Sequence, residues 1–190
     1  MQSLRPVRRV AELGSLAVTG SVAAIFAFKC GKCSKIHEGS PSFGYDAPWH
    51  YSGLSVEERA YSELKSDTCV IRHDEGVDRF IRVVLEVPIH GVDKPFMWGV
   101  WVSLSEKSFT RYLETWDEPD ESDSYFGWLC NRLPYYEDTI NLKVQVRPRR
   151  GGLRPYLELE RNGHLLAEHL CEGISIQQAQ EIAERMLHDG

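Results

Sequence analysis

The residues with the clearest chemical potential are two cysteines near the front of the sequence, Cys30 and Cys33, separated by Gly31 and Lys32. A Cys-x-x-Cys turn directs two thiolates toward one point, and the glycine permits a tight backbone. Zn²⁺ favours four sulfur, nitrogen or oxygen ligands arranged as a tetrahedron. The spacing therefore predicts a metal-binding knuckle that requires two further ligands.

The remaining ligands have to come from later in the chain. His37 follows the cysteine pair closely and is the candidate third ligand. We select Cys69 as the fourth, because a thiolate suits zinc. Its rivals are His50, Asp67 and His73. The predicted metal site thus consists of Cys30, Cys33, His37 and Cys69, with Zn²⁺ as the expected ion.

Two other interpretations of the cysteine pair remain open. Redox-active pairs of the thioredoxin type stand at a helix N-terminus, where a neighbouring cation such as Lys32 helps to lower a thiol pKa. The residues after Cys33 read as a loop, however, so two free thiols in a loop are the third interpretation. The chain has five cysteines, an odd number that argues against a disulfide framework and favours a reducing, cytoplasmic location.

A second group of residues could carry acid–base chemistry. Arg82 and Glu86 share one face of a predicted strand, and His164 follows a predicted turn. A cleft with these side chains could serve a small enzyme. The sequence contains no phosphate-cradling glycine loop and no His-Glu-x-x-His motif. We therefore favour a non-catalytic module that binds a small ligand or a protein partner, and keep the small enzyme as the alternative.

Composition limits the remaining possibilities. The 190 residues are 42% hydrophobic and 26% charged, which suits one globular domain and excludes fibrous or fully disordered classes. With 22 basic and 28 acidic residues, the net charge is −6. Nucleic-acid-binding proteins usually carry a basic face, so no nucleic-acid partner is expected.

The first residues differ in character from the rest. Arg5, Arg8 and Arg9 precede an uncharged run over residues 13–28, which resembles the start of a signal peptide. Gly and Ser dilute this run, and it is shorter than a membrane-spanning helix, so no membrane segment is expected. We interpret residues 1–24 as a disordered or non-native extension and residues 25–190 as a single domain. A signal peptide and a helix of the domain are the alternatives.

Hydrophobic periodicity predicts an α+β fold with a mainly antiparallel sheet of six or seven strands, three helices and the N-terminal Cys-x-x-Cys knuckle. Ser55 and Glu58 form a predicted capping box, which marks the first helix. Further helices are expected over residues 108–116 and 177–188. Strands are expected over residues 24–28, 68–72, 79–88, 96–104, 142–147, 156–160 and 164–170, with 125–129 as a strand or a turn.

Several short motifs, in this order, resemble the bacterial domain-of-unknown-function family DUF2199. They include Cys30-Gly-Lys-Cys33, Tyr45-Asp-Ala-Pro48, Phe80-Ile-Arg82, Trp98-Gly-Val-Trp101, Gly127-Trp-Leu129 and Arg154-Pro155. The resemblance covers about residues 28–190. Members usually have glycine directly after the second cysteine, whereas this sequence has Ser34. The resemblance implies a single domain beginning near the cysteine pair, and it implies no reaction.

Overall fold

The computed structural model describes residues 26–120 and 122–188, which form an α+β fold. The helices are α1 Trp49–Ser52, α2 Val56–Ala60, α3 Glu106–Glu114, α4 Leu165–Glu172 and α5 Ile176–His188. The strands are β1 Ala27–Lys29, β2 Ile36–Glu38, β3 Ser42–Gly44, β4 Glu63–Leu64, β5 Thr68–His73, β6 Gly76–Val87, β7 Phe96–Leu104, β8 Tyr125–Leu129, β9 Lys143–Arg147 and β10 Tyr156–Glu158. The interpretation of residues 1–24 falls outside the described residues and stays a prediction.

Five of the strands close into a small barrel. The two longest, β6 and β7, are antiparallel over their whole contact, and β8, β9 and β10 follow in order, each antiparallel to the one before. The last strand returns to the first in parallel, with Tyr156 opposite Val84. β3 adds to β7 in parallel, and β5 and β4 extend the sheet beyond β6.

The alternation of buried and more exposed side chains along β6 sets the main core. Four side chains on one face of β6 are fully buried: Ile81, Val83, Leu85 and Val87. Because side chains alternate along a strand, the other face of β6 points outward. There Phe80 joins a second, smaller apolar cluster with Trp101 of β7. Strand β7 therefore carries buried apolar side chains on both faces.

The α+β class is confirmed, but the predicted counts of six or seven strands and three helices are wrong, because the described residues contain ten strands and five helices. The strand predicted over residues 164–170 is also wrong. These residues begin α4, where the ring of His164 accepts the N–H of Leu166 at 3.1 Å and so caps the helix. Leu166 and Ala167 are fully buried, so the segment packs as a helix against the core.

The N-terminal hairpin of β1 and β2 packs against the C-terminal helix. Phe26, Phe28 and Cys30 are buried in the same core cluster as Ala179 and Ile182 of α5. This packing places the cysteine turn beside the last turns of α5. Among the described helices, none is both long and apolar enough to span a bilayer.

Candidate metal centre

The two cysteines lie in a tight turn between β1 and β2. The N–H of Cys30 donates to the carbonyl of Lys35 at 2.9 Å, and the N–H of Ser34 donates to the carbonyl of Cys30 at 3.0 Å. The N–H of Cys33 points at Sγ of Cys30, 3.5 Å away. Ser34 has a φ of 60°, in the left-handed region that glycine adopts most readily. The turn therefore folds both sulfur atoms to one side even though serine occupies this position.

Helix α5 brings a histidine to this turn. Nε2 of His188 lies 3.1 Å from Sγ of Cys30. One turn earlier, the carboxylate of Glu184 accepts the N–H of Gly31 at 2.6 Å. Apolar side chains at helical spacing hold the other side of α5 in the core, namely Ala179, Ile182 and Ala183. Burial of that stripe fixes the helix and so directs the polar face of its C-terminal end toward the cysteines.

His37 approaches the second cysteine from β2. Its Nε2 lies 3.5 Å from Sγ of Cys33. The imidazole stacks on the ring of Phe28 in the neighbouring strand, with ring centres 5.2 Å apart. Because β1 and β2 are paired with Phe28 opposite His37, the hairpin itself holds the imidazole beside the turn.

The distances within this group suit a tetrahedral ion. With Zn–S bonds of about 2.3 Å and Zn–N bonds of about 2.1 Å, sulfur and nitrogen ligands of one ion lie about 3.6 Å apart. The ligand atoms of Cys30, Cys33 and His188 all lie within 4.8 Å of one another. Nε2 of His37 lies 3.5 Å from Sγ of Cys33, close to that edge, but His37 is not in the group whose ligand atoms all lie within 4.8 Å of one another. Two thiols and two imidazoles form a donor set that zinc prefers.

The turn also favours the charged form of one thiol. Burial raises the pKa of Cys30, and the Glu184 carboxylate adds to this effect. Hydrogen bonds from the N–H groups of Cys33 and Lys32, together with one from the Cys33 thiol, outweigh both and lower the pKa overall. Thiolate, rather than thiol, is the form that binds metals and acts as a nucleophile. The backbone of the turn therefore prepares Cys30 for either role.

The structure does not bring Cys69 to this group. Its side chain lies on β5 opposite Phe80 and is fully buried in the smaller apolar cluster. Burial there raises the pKa of Cys69 to about 12, so it is held as a thiol. Its rivals also have other neighbours, because His50 stacks on Phe80, Asp67 pairs with Arg154 and His73 pairs with Asp78.

Sequence reasoning missed His188. The available signal was a histidine in the last turn of a predicted helix, four residues after Glu184. That spacing places both side chains on one face of a helix. What the sequence could not supply was the position of α5 beside the N-terminal hairpin, since the contact joins residues 158 positions apart.

The residues considered for an enzymatic cleft are divided between strand β6 and the start of helix α4. Arg82 and Glu86 are both on the outer face of β6, about 13 Å apart along the strand. His164 caps α4, and its Nε2 is buried without a hydrogen-bond partner among the described residues. This arrangement gives no support to shared acid–base work by the three side chains.

Comparison with known proteins identifies a family to which the chain is similar. The profile of DUF2199, described as an uncharacterized protein conserved in bacteria, matches residues 29–174. The match includes both cysteines and His37 but ends before α5. The searches of curated proteins and of solved structures gave no significant match.

Proposed function

The chain belongs to the DUF2199 family, and from that premise we propose that it is a non-catalytic binding or interaction module cross-linked by one Zn²⁺ ion. The proposed ligands are Cys30, Cys33, His37 and His188. His188 replaces Cys69 of the sequence prediction, because it lies beside Cys30 whereas Cys69 belongs to another cluster.

The observation that carries the proposal is the convergence of three ligand atoms from opposite ends of the described fold within 4.8 Å. Cys30 and Cys33 come from the N-terminal turn and His188 from the last residue of α5. An ion held by both segments would fix α5 on the barrel. Structural zinc sites have four protein ligands. His37, whose Nε2 lies 3.5 Å from Sγ of Cys33 but outside that group of three, would move closer to supply the fourth.

A thiol-based redox site is the second candidate. The pKa of Cys30 is lowered by the backbone of the turn, and Cys33 lies close enough for its N–H to reach Sγ of Cys30. Such a pair could pass between dithiol and disulfide without a metal. The two imidazoles beside the sulfur atoms favour the zinc proposal over this one, because a disulfide exchange site needs no second histidine.

We place the module in the cytoplasm, where its five free cysteines would stay reduced. The net charge of −6 supports a small ligand or a protein as partner rather than nucleic acid.

The test combines metal analysis with thermal denaturation of the purified chain. We expect one zinc per chain, lost in Cys33→Ser and retained in Cys171→Ser, which removes an exposed cysteine from α4. At free zinc about a hundred times above Kd, binding adds about 2.7 kcal/mol, so a chelator should lower Tm by about 5–10 °C.

Two outcomes would contradict the zinc proposal. The first is a chain that binds no zinc and has the same Tm with and without chelator. The second is a reversible disulfide between Cys30 and Cys33 in a chain without metal, which would favour the redox candidate.

A further inference from the structure

A second candidate site lies away from the metal ligands, in an open groove of about 370 Å³. The loop that connects β9 to β10 forms one wall, and Trp116, just after α3, forms another. The side chains that matter are Asp67, Trp116, Arg149, Leu153 and Arg154. Arg149 and Arg154 face the carboxylate of Asp67 in the groove, and the carboxylate of Asp117 lies at its margin, 3.7 Å from where a Cβ on Gly152 would stand.

The arginines are held in place but keep free donors. Nε of Arg154 donates to the carboxylate of Asp67 at 2.5 Å, and Nε of Arg149 donates to the carbonyl of Arg154 at 2.5 Å. The guanidinium of Arg149 lies 4.0 Å above the ring centre of Tyr156. Among the described residues, no partner hydrogen bonds with the terminal NH₂ groups of either arginine. Such paired donors match the oxygens of a carboxylate or phosphate.

The charge of Asp67 is already balanced within the protein. Burial opposes its ionisation, but hydrogen bonds from Arg154 and Ser66 outweigh that effect and lower the pKa of Asp67. Arg82 contributes a further favourable interaction with the same carboxylate. Asp67 therefore positions Arg154, and Arg149, whose Nε donates to a backbone carbonyl, is the cation that would meet an anion.

A buried hydroxyl lies near the Asp67–Arg154 pair, although it is not part of the groove's lining. Tyr112 is 2% exposed, and its hydroxyl has no hydrogen-bond partner among the described residues. Burial raises the pKa of Tyr112, and Asp67 and Arg154 both act on it electrostatically, so the hydroxyl is a neutral donor near that ion pair. Buried polar groups are rarely left without a partner. The ring of Tyr112 also packs edge-on against Trp116, 5.3 Å away.

The rest of the groove is apolar. The indole of Trp116 and the exposed side chain of Leu153 lie beside the two guanidinium groups. We propose that this groove binds an oxyanion, a carboxylate or a phosphate, that is attached to an aromatic or other flat apolar group. The inference rests on the proposed binding role and is independent of the zinc ion.

The experiment is an NMR titration of the full, zinc-loaded chain that follows the arginine Nε–H and tryptophan indole N–H signals. Phenyl phosphate and benzoate are the probes, and their relative affinities distinguish phosphate from carboxylate ligands. Phenol is the neutral control. We expect saturable shifts of the Arg149, Arg154 and Trp116 signals with the acids only.

Variants then locate the site. Arg149→Gln should weaken binding about ten- to a hundredfold, because a charge-assisted hydrogen bond is lost while the Asp67–Arg154 pair is kept. Arg147→Gln is the matched control, since Arg147 pairs with Glu158 outside the groove and its loss should leave affinity unchanged.

Three results would overturn the inference: shifts that do not saturate, phenol binding as tightly as the acids, or equal weakening by both substitutions. A chain that holds zinc and fails to bind the acids would overturn this inference alone. A chain that binds the acids without holding zinc would overturn only the metal proposal.

Discussion

The Sγ of Cys30 lies 3.1 Å from Nε2 of His188, although 158 positions separate the two residues in the chain. This contact joins the turn after β1 to the last turn of α5. It depends on two packings, that of the N-terminal hairpin and that of α5, against one core. The site therefore depends on the tertiary fold rather than on a local motif.

Ser34→Gly should stabilise the cysteine turn. Ser34 has a φ of 60°, and a left-handed backbone costs a residue with a side chain roughly 1–2 kcal/mol, which glycine largely avoids. We expect the free energy of unfolding in urea to rise by about 1 kcal/mol. Ser34→Ala is the control and should bring no gain. A glycine variant less stable than the wild type would contradict the turn geometry.

Two tyrosine-to-phenylalanine substitutions should differ in effect. The hydroxyl of Tyr112 has no partner among the described residues, whereas that of Tyr136 lies 3.2 Å from Nδ1 of the buried His169. Removing a bonded hydroxyl leaves the histidine nitrogen unpaired, so Tyr136→Phe should cost about 1–2 kcal/mol. Tyr112→Phe should cost nothing or stabilise slightly. Equal losses in chemical denaturation would show that Tyr112 has a partner.

Stability should fall as the solution becomes mildly acidic. Burial lowers the pKa of His169, and Glu168 offsets only part of that effect. The unfolded chain takes up a proton as pH drops below about 6.5, while the folded chain does so only at lower pH. The free energy of unfolding should therefore decrease from pH 7.5 to pH 5.

His169→Gln tests the source of this pH dependence. The variant should lose stability at neutral pH, yet its unfolding free energy should vary less between the two pH values. His73→Gln, which changes a histidine outside the core, should retain the wild-type slope. An unchanged slope in His169→Gln would contradict the assignment.

The barrel leaves little room at Gly127. A Cβ there would come within 2.5 Å of the carbonyl oxygen of Ser103 on the paired strand. At Gly99 the same atom would come no closer than 3.5 Å to the side chain of Arg82. Gly127→Ala should therefore lower stability by about 1–3 kcal/mol, and Gly99→Ala should cost clearly less. Similar values in urea denaturation would argue against the β7–β8 register.

Local patterns in the sequence predicted local structure well. The alternation of β6 identified its buried face, and the capping box of Ser55 and Glu58 marks the start of α2 with both hydrogen bonds present. Strand β7 has the predicted bounds Phe96–Leu104. In each case the structure is determined by interactions between residues close in sequence, or by the repeat with which apolar side chains recur along a strand or helix.

Long-range structure escaped the same reasoning. The parallel pairing of β10 with β6 closes the barrel, but no pattern of residue spacing in the sequence indicates it. The fourth ligand was missed for a related reason. Cys69 has the correct chemistry, but the register of β5 against β6 turns it toward Phe80. His188 lies beside Cys30 because of where α5 packs, and the position of α5 is set by the core as a whole.

The sharpest test of the proposed metal centre is the zinc affinity of variants that lack either His188 or Cys69. Competition with a chelating dye should show that His188→Ala weakens zinc binding by more than the roughly hundredfold that loss of an outer-shell partner costs. Cys69→Ala should bind zinc as the wild type does, as should the histidine control His73→Ala. Zinc affinity that survives loss of His188 but disappears with Cys69 would contradict the proposed centre.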